Sequence, residues 1–181
     1  PSPAKAPWYF VGFQELLVYF DPWIAGVVIP LVITFGLGAI PYVDGSRRGE
    51  GIYALRERPL AFAIFTGGLA AWCALIAIGT WFRGPGWAWV WPWESGAAEA
   101  GGRIGRSLPN AVGVPLLAAW FGAGGLWIVR RLRGWPGLTL GRRVVIALLA
   151  LAMAGVGIKI AARLLFGLEY IVACRESGFN I

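Results

Sequence analysis

Four runs of about twenty mostly apolar residues constrain this chain more than anything else in it, because a helix of that length crosses the hydrocarbon core of a bilayer. They are Trp23–Tyr42, Leu60–Phe82, Ala111–Val129 and Val144–Leu165. The rest of the 181 residues leaves no soluble alternative. Hydrophobic residues make up 58% and charged residues 14%, where a water-soluble domain carries roughly 25% charged residues. Mean hydropathy is +0.67. So few charges cannot cover a globule of this size, and disorder would leave 11 Trp in water. The expected fold is all-α: a polytopic membrane protein with four transmembrane helices preceded by a short interfacial helix. Pro30 and Pro115 are expected to kink the first and third spans, while Gly67–Gly68, Gly122, Gly124–Gly125, Gly155 and Gly157 allow close helix packing.

The charges fall between the apolar runs. Sixteen Lys+Arg against nine Asp+Glu give +7, which in a soluble protein suggests nucleic acid. Here the basic residues sit where topology-setting charges sit, so nucleic acid is not expected. Arg47, Arg48, Arg56 and Arg58 follow the first span; Arg130, Arg131, Arg133, Arg142 and Arg143 follow the third. Lys5, Arg83, Arg103, Arg106 and Arg175 are spread more thinly on the other side. The positive-inside rule then makes the two dense clusters cytoplasmic and puts both termini outside. Lys159 and Arg163, near the outer end of the fourth run, read as snorkelling residues. The loop Arg130–Arg143 also suits anionic headgroups such as cardiolipin, although setting topology is its simpler role.

Two stretches outside the spans carry information. Residues 8–20, WYFVGFQELLVYF, suit a short helix in the outer interface, ended by Asp21–Pro22. Residues 83–94, RGPGWAWVWPWE, alternate Trp87, Trp89, Trp91 and Trp93, which in an extended chain puts all four indoles on one face. Indoles collect at headgroup depth, so an interfacial anchor is the first reading and a docking surface the second. The small-residue stretch Ser95–Gly102 reads as a flexible loop.

The catalytic inventory is thin. Histidine is absent, so the usual ligation of haem iron or catalytic zinc is not expected, and no metal site is assigned. Cys73 and Cys174 do not make a disulfide framework, since one lies midway along an apolar run. Glu15 stands apart from the loop acids. It lies in an apolar stretch, seven residues after Trp8 and so about two turns along one helical face. A carboxyl desolvated there holds its proton more tightly and can pass protons between a buried substrate and water. The plainer reading points Glu15 to headgroups or water, or pairs it with an Arg of another subunit.

The N-terminal block carries a family likeness. Ala6-Pro7-Trp8-Tyr9-Phe10, then Leu16-Leu17, Gly26-Val27, Ile40-Pro41-Tyr42-Val43-Asp44 and Arg58-Pro59-Leu60-Ala61 follow one another in order. Together they resemble the C-terminal half of cytochrome b, or equally subunit IV of the split bf-type complexes. The likeness covers about residues 5 to 82, under half the chain. Residues 83–94 and Gly178-Phe179-Asn180-Ile181 look like an extended bacterial version with extra helices.

The resemblance implies a haem-free subunit of a quinol-oxidising Rieske/cytochrome b complex, a quinol–cytochrome c reductase. Its electrons would pass to a Rieske iron–sulfur cluster and to b-type haem, both held by partner subunits. The implied partners are a haem-bearing N-terminal cytochrome b subunit, the Rieske protein, a c-type cytochrome and membrane lipids. The implied place is a bacterial inner (cytoplasmic) membrane, with both termini periplasmic. Pro7, Trp8 and Tyr9 stand at the family's quinol-binding motif, Pro-Glu-Trp-Tyr, whose Glu is thought to accept a quinol proton. Here that position is Pro7, which cannot. Glu15 as the catalytic acceptor, a partner residue, or release through water are the substitutes. The chain divides as 1–22, quinol-site loop and interfacial helix; 23–82, the cytochrome b-like helix pair; 83–110, the Trp-rich outer loop; and 111–181, two additional spans and a tail. The competing reading is a non-catalytic membrane scaffold of a respiratory or photosynthetic complex. A channel or transporter ranks last, because spans one and two contain no charge.

Overall fold

A computed structural model describes residues 4–44, 55, 59–93, 106–174 and 180–181. Among them are five α-helices: α1 (Trp8–Tyr19), α2 (Ile29–Val43), α3 (Pro59–Trp81), α4 (Asn110–Arg131) and α5 (Leu140–Phe166). Four stretches are long and apolar enough to cross a membrane, Ile24–Val43, Phe62–Trp81, Asn110–Gly134 and Leu140–Phe166. The chain is a multi-pass membrane protein. Large apolar side chains on these helices stand open, Phe35 at 69% and Leu165 at 75% exposure, and only lipid or another protein can cover them. The arginines at 47, 48, 56, 58, 103 and 175 and the stretch 94–102 lie outside the described residues.

The chain folds as two compact units that interleave along the sequence: Pro1–Val18 with Arg47–Arg103, and Tyr19–Ser46 with Ile104–Ile181. In the first, α1 lies against α3. The buried face of α1 in this unit is Val11, Gly12, Glu15 and Leu16, a helical stripe with one carboxylate in it. Two glycines permit the approach. A Cβ on Gly12 would stand 3.0 Å from the Trp72 indole, and one on Gly79 would stand 2.5 Å from the Val11 side chain. Lys5 Nζ donates to the Thr80 carbonyl at 2.5 Å, placing a cation on the last carbonyls of α3, where the helix dipole is negative.

In the second unit the first span opens with a π-turn, Ile24–Val28, immediately before Pro30. Pro30 has no N–H to give, and a widened turn takes up the freed backbone in place of a sharp kink. The Thr34 hydroxyl donates to the Pro30 carbonyl at 2.9 Å. α4 and α5 pack through small residues. A Cβ on Gly124 would stand 3.1 Å from Leu151 of α5, and Gly113 leaves no room for a Cβ against the Ile171 carbonyl just past Leu168–Tyr170. Trp120 Nε1 donates to the Leu151 carbonyl at 3.2 Å. Thr139 caps α5 by accepting from Arg142 N at 3.4 Å. Gly167, at φ 66, ends it in the left-handed conformation that glycine adopts most readily. The all-α expectation has one small departure. Arg106–Ser107 (β1) and Leu168–Tyr170 (β2) pair in parallel, satisfying backbone groups just beyond the helix ends.

Candidate functional site

The candidate residues belong to the first unit, and they separate into an exposed group and a buried one. Pro7 serves as the helix cap: its carbonyl accepts from Phe10 N at 2.8 Å and Val11 N at 3.2 Å. A proline costs nothing there, since the first N–H groups of a helix lack intrahelical partners. Gln14 steadies the segment before it, accepting from Ala6 N at 2.8 Å through Oε1. From this cap a chain of rings descends. Trp8 meets Tyr9 edge-on at 5.7 Å between centroids, Tyr9 meets Phe10 at 5.2 Å, Phe10 meets Phe13 at 6.1 Å, and Phe13 meets Trp72 of α3 at 4.7 Å. Its upper end is open, with Trp8 72% exposed and Tyr9 and Phe10 each 52%.

Glu15 is fully buried. Arg83 grips it with two parallel bonds, Nε to Oε2 at 2.9 Å and Nη2 to Oε1 at 2.5 Å. Trp87 Nε1 adds a third donor to Oε2 at 3.2 Å. This bidentate geometry is the strong form of a carboxylate–guanidinium contact. Arg83 is completed by a bond from Nη1 to the Trp87 carbonyl at 3.2 Å and by the Trp89 ring 5.4 Å from its carbon. The structure therefore pairs Glu15 with an arginine, as one expectation had it, but with one from this same chain.

The tryptophan stretch departs from its expected form. Alternation would put four indoles on one face of an extended strand. Instead Gly84–Pro85–Gly86 forces a turn, with a short 3-10 helix at Pro85–Trp87 and an antiparallel bridge between Arg83 and Trp89. Gly86 and Trp87 both take positive φ, 65 and 60. For a tryptophan that conformation costs roughly 1–2 kcal/mol, and it is offset where Trp87 donates to Glu15 and accepts from Arg83. Trp89, Trp91 and Trp93 stay in consecutive contact: Trp89 meets Trp91 edge-on at 5.7 Å and Trp91 stacks on Trp93 at 5.0 Å, while Trp89 stacks on Phe82 at 5.3 Å.

The structure brings Pro7, Trp8 and Tyr9 together at the start of α1, and it sets Glu15 about 10 Å further along the axis by the helical rise. Trp8 is open and Glu15 sealed, so the shared face expected from the spacing does not give them a shared environment. Sequence reasoning missed Arg83 and Trp87 as the partners of Glu15. The glycine–proline–glycine turn beside Arg83 was the available signal.

The second unit holds another buried charge, Lys159, at 4% exposure. It does not snorkel into headgroups as expected. Its Nζ donates to the Glu169 carbonyl at 2.5 Å and lies 6.0 Å from the Tyr170 ring. Asp21 accepts from Asn180 N at 3.2 Å, and its carboxylate lies close enough to act on the Tyr170 phenol. Burial, and then the Asp21 carboxylate, push the Tyr170 phenol above its ordinary value of 10.0. Among the described residues no group of His, Cys, Asp and Glu is placed to hold a metal ion. No protein-family model, curated protein or solved structure matches the chain.

Proposed function

We propose that this chain is a haem-free subunit of a quinol-oxidising Rieske/cytochrome b complex, in which Trp8 and Tyr9 wall the outer quinol-oxidation site. The observation that carries the reading is the open aromatic edge at Trp8, Tyr9 and Phe10, fixed from below by Phe13 and Trp72. A planar quinol ring stacks on such a surface, and the family likeness of the same residues supplies the substrate class. In this reading Pro7 caps the helix and shapes the wall. Glu15 can take a quinol proton only by giving up bonds to Arg83 and Trp87, so its role is positioning: it fastens the turn at Arg83–Trp89 beneath the aromatic edge. The proton then leaves through water or a partner residue. Haem and the iron–sulfur cluster belong to partner subunits, and the complex sits in a bacterial inner membrane with this chain's termini on the periplasmic side. The thin outer and dense inner distribution of arginines supports that orientation.

The second reading, a non-catalytic scaffold, is favoured by one observation: the residue at the family's proton-accepting position is Pro7, and Glu15, the nearest substitute, is held in a bidentate pair. One experiment decides. The complex is purified through a tag on this chain and its reduced-minus-oxidised spectrum recorded, then quinol oxidation is assayed for Trp8→Ala and Tyr9→Ala. A b-haem signal with at least a tenfold loss of turnover, about 1.4 kcal/mol at the wall, is the expected outcome. Wild-type turnover in both variants, or an intact assembly without haem, sinks the quinol-site reading and leaves the scaffold.

A further inference from the structure

A groove of about 300 Å³ runs between α4 and α5 in the second unit, lined by Phe121, Gly125, Leu126 and Val129 on one side and Val144 and Leu148 on the other. Its wall is almost wholly apolar. Its position is what gives it a ligand. Val129 is followed directly by Arg130 and Arg131, and Val144 is preceded directly by Arg142 and Arg143, so the groove ends at the basic turn that joins the two helices. Two of those arginines build the turn itself. Arg143 donates twice to the Leu138 carbonyl, at 2.9 and 2.7 Å, and Arg142 donates to the Gly137 carbonyl at 3.2 Å while its guanidinium covers the Tyr42 ring at 5.6 Å. Arg130, Arg131 and Arg133 remain exposed around it. No Asp or Glu occurs in the sequence between Glu99 and Glu169, so the segment supplies no carboxylate to neutralise them.

We propose that this groove binds an anionic phospholipid, one acyl chain lying between α4 and α5 and the phosphate headgroup held by Arg130, Arg131 and Arg133. An apolar slot alone would accept any lipid tail, and a basic turn alone would attract any anionic surface. The two joined end to end select a molecule that carries both parts, a chain of hydrocarbon under a negative headgroup. Exposed Trp135, in the same turn, adds an indole at the depth where headgroups meet hydrocarbon. Gly125 keeps the slot open: a Cβ there would meet Leu151 only at an ordinary 3.8 Å, but a longer side chain would enter the groove.

The full chain, placed in phosphatidylcholine nanodiscs containing a minor fraction of dioleoylphosphatidylglycerol, tests this by native mass spectrometry of the lipid it retains. Phosphatidylglycerol is expected to stay bound in preference to phosphatidylcholine. The triple variant Arg130→Gln/Arg131→Gln/Arg133→Gln should lose that preference about tenfold or more, given the attraction of each basic residue for an anionic headgroup. Gly125→Leu should lose the retained lipid with all arginines in place. Val144→Trp, at a position already 40% exposed, fills the same slot if Gly125→Leu fails to fold. Equal retention of both lipids overturns the proposal. So does undiminished phosphatidylglycerol in the filled-groove variants, or its displacement by glycerophosphate, which would reduce the site to a headgroup contact.

Discussion

Glu15 and Lys159 are both buried charged residues, and the protein holds them by different means. Glu15 has a full counter-charge: two guanidinium bonds and an indole donor close its carboxylate. Lys159 lies near the end of α5 and is met by a backbone carbonyl and the face of a ring, with the Asp21 and Glu169 carboxylates near enough to act on its charge without a direct ion pair. The difference follows from what the backbone offers. Helix ends and strand edges present bare carbonyls, partial negative charges that can receive an ammonium. A carboxylate in the middle of α1 has no bare N–H groups within reach, because mid-helix amides are already bonded. It needs a donor from elsewhere, and Arg83 is delivered by the turn that follows α3.

Breaking the Glu15 pair should therefore be the most damaging change. Arg83→Ala takes the guanidinium away from a buried carboxylate, and the expected loss is about 3–5 kcal/mol. Chemical unfolding of the purified chain in mild detergent measures it. The double variant Glu15→Leu/Arg83→Leu removes both charges and should recover much of that loss, since paired buried charges replaced by apolar groups are often neutral. A double variant as unstable as Arg83→Ala would show that packing of the turn, and not the ion pair, holds α1. Lys159→Met is the matching test on the other side. It leaves the Glu169 carbonyl short of one donor, and about 1–3 kcal/mol is expected. A loss equal to that of Arg83→Ala would break the comparison, because it would mean that the Asp21 and Glu169 carboxylates, and not the carbonyl, are what Lys159 balances.

The unequal legibility of these features has a physical cause. The spans were plain in the sequence, because hydropathy over about twenty residues needs no knowledge of the fold. Their ends were less so. α5 begins at Leu140, four residues before the expected Val144, since Arg142 and Arg143 interrupt the apolar run without interrupting a helix that Thr139 caps. Glu15 was legible as a polar break in an apolar stretch, but its partner lies 68 residues away, and no local pattern carries a distance of that kind. The alternating tryptophans keep Trp89, Trp91 and Trp93 in contact with one another, while the turn chemistry of Gly84–Pro85–Gly86 takes Trp87 out of that row. The quinol-wall reading of Trp8 and Tyr9 rests on the family likeness, and the structure adds only their exposure and support.

The smallest effect sharpens the comparison most finely. Tyr170 stands beside Lys159 and within reach of the Asp21 carboxylate, which accepts from Asn180 N. Tyr170→Phe removes the phenol hydroxyl from that cluster and should cost about 1 kcal/mol. The pH dependence has a definite sign. Burial, foremost, and the Asp21 carboxylate raise the phenol above 10.0, so the folded chain holds this proton more tightly than the unfolded one. The stabilisation is fully present below the unfolded value and is lost as pH rises through the folded one. Melting curves of wild type and Tyr170→Phe should thus differ by a constant amount from about pH 6 to about pH 9 and converge only above about pH 10. A difference that changes near neutral pH would show that the group titrating beside Lys159 is not this phenol.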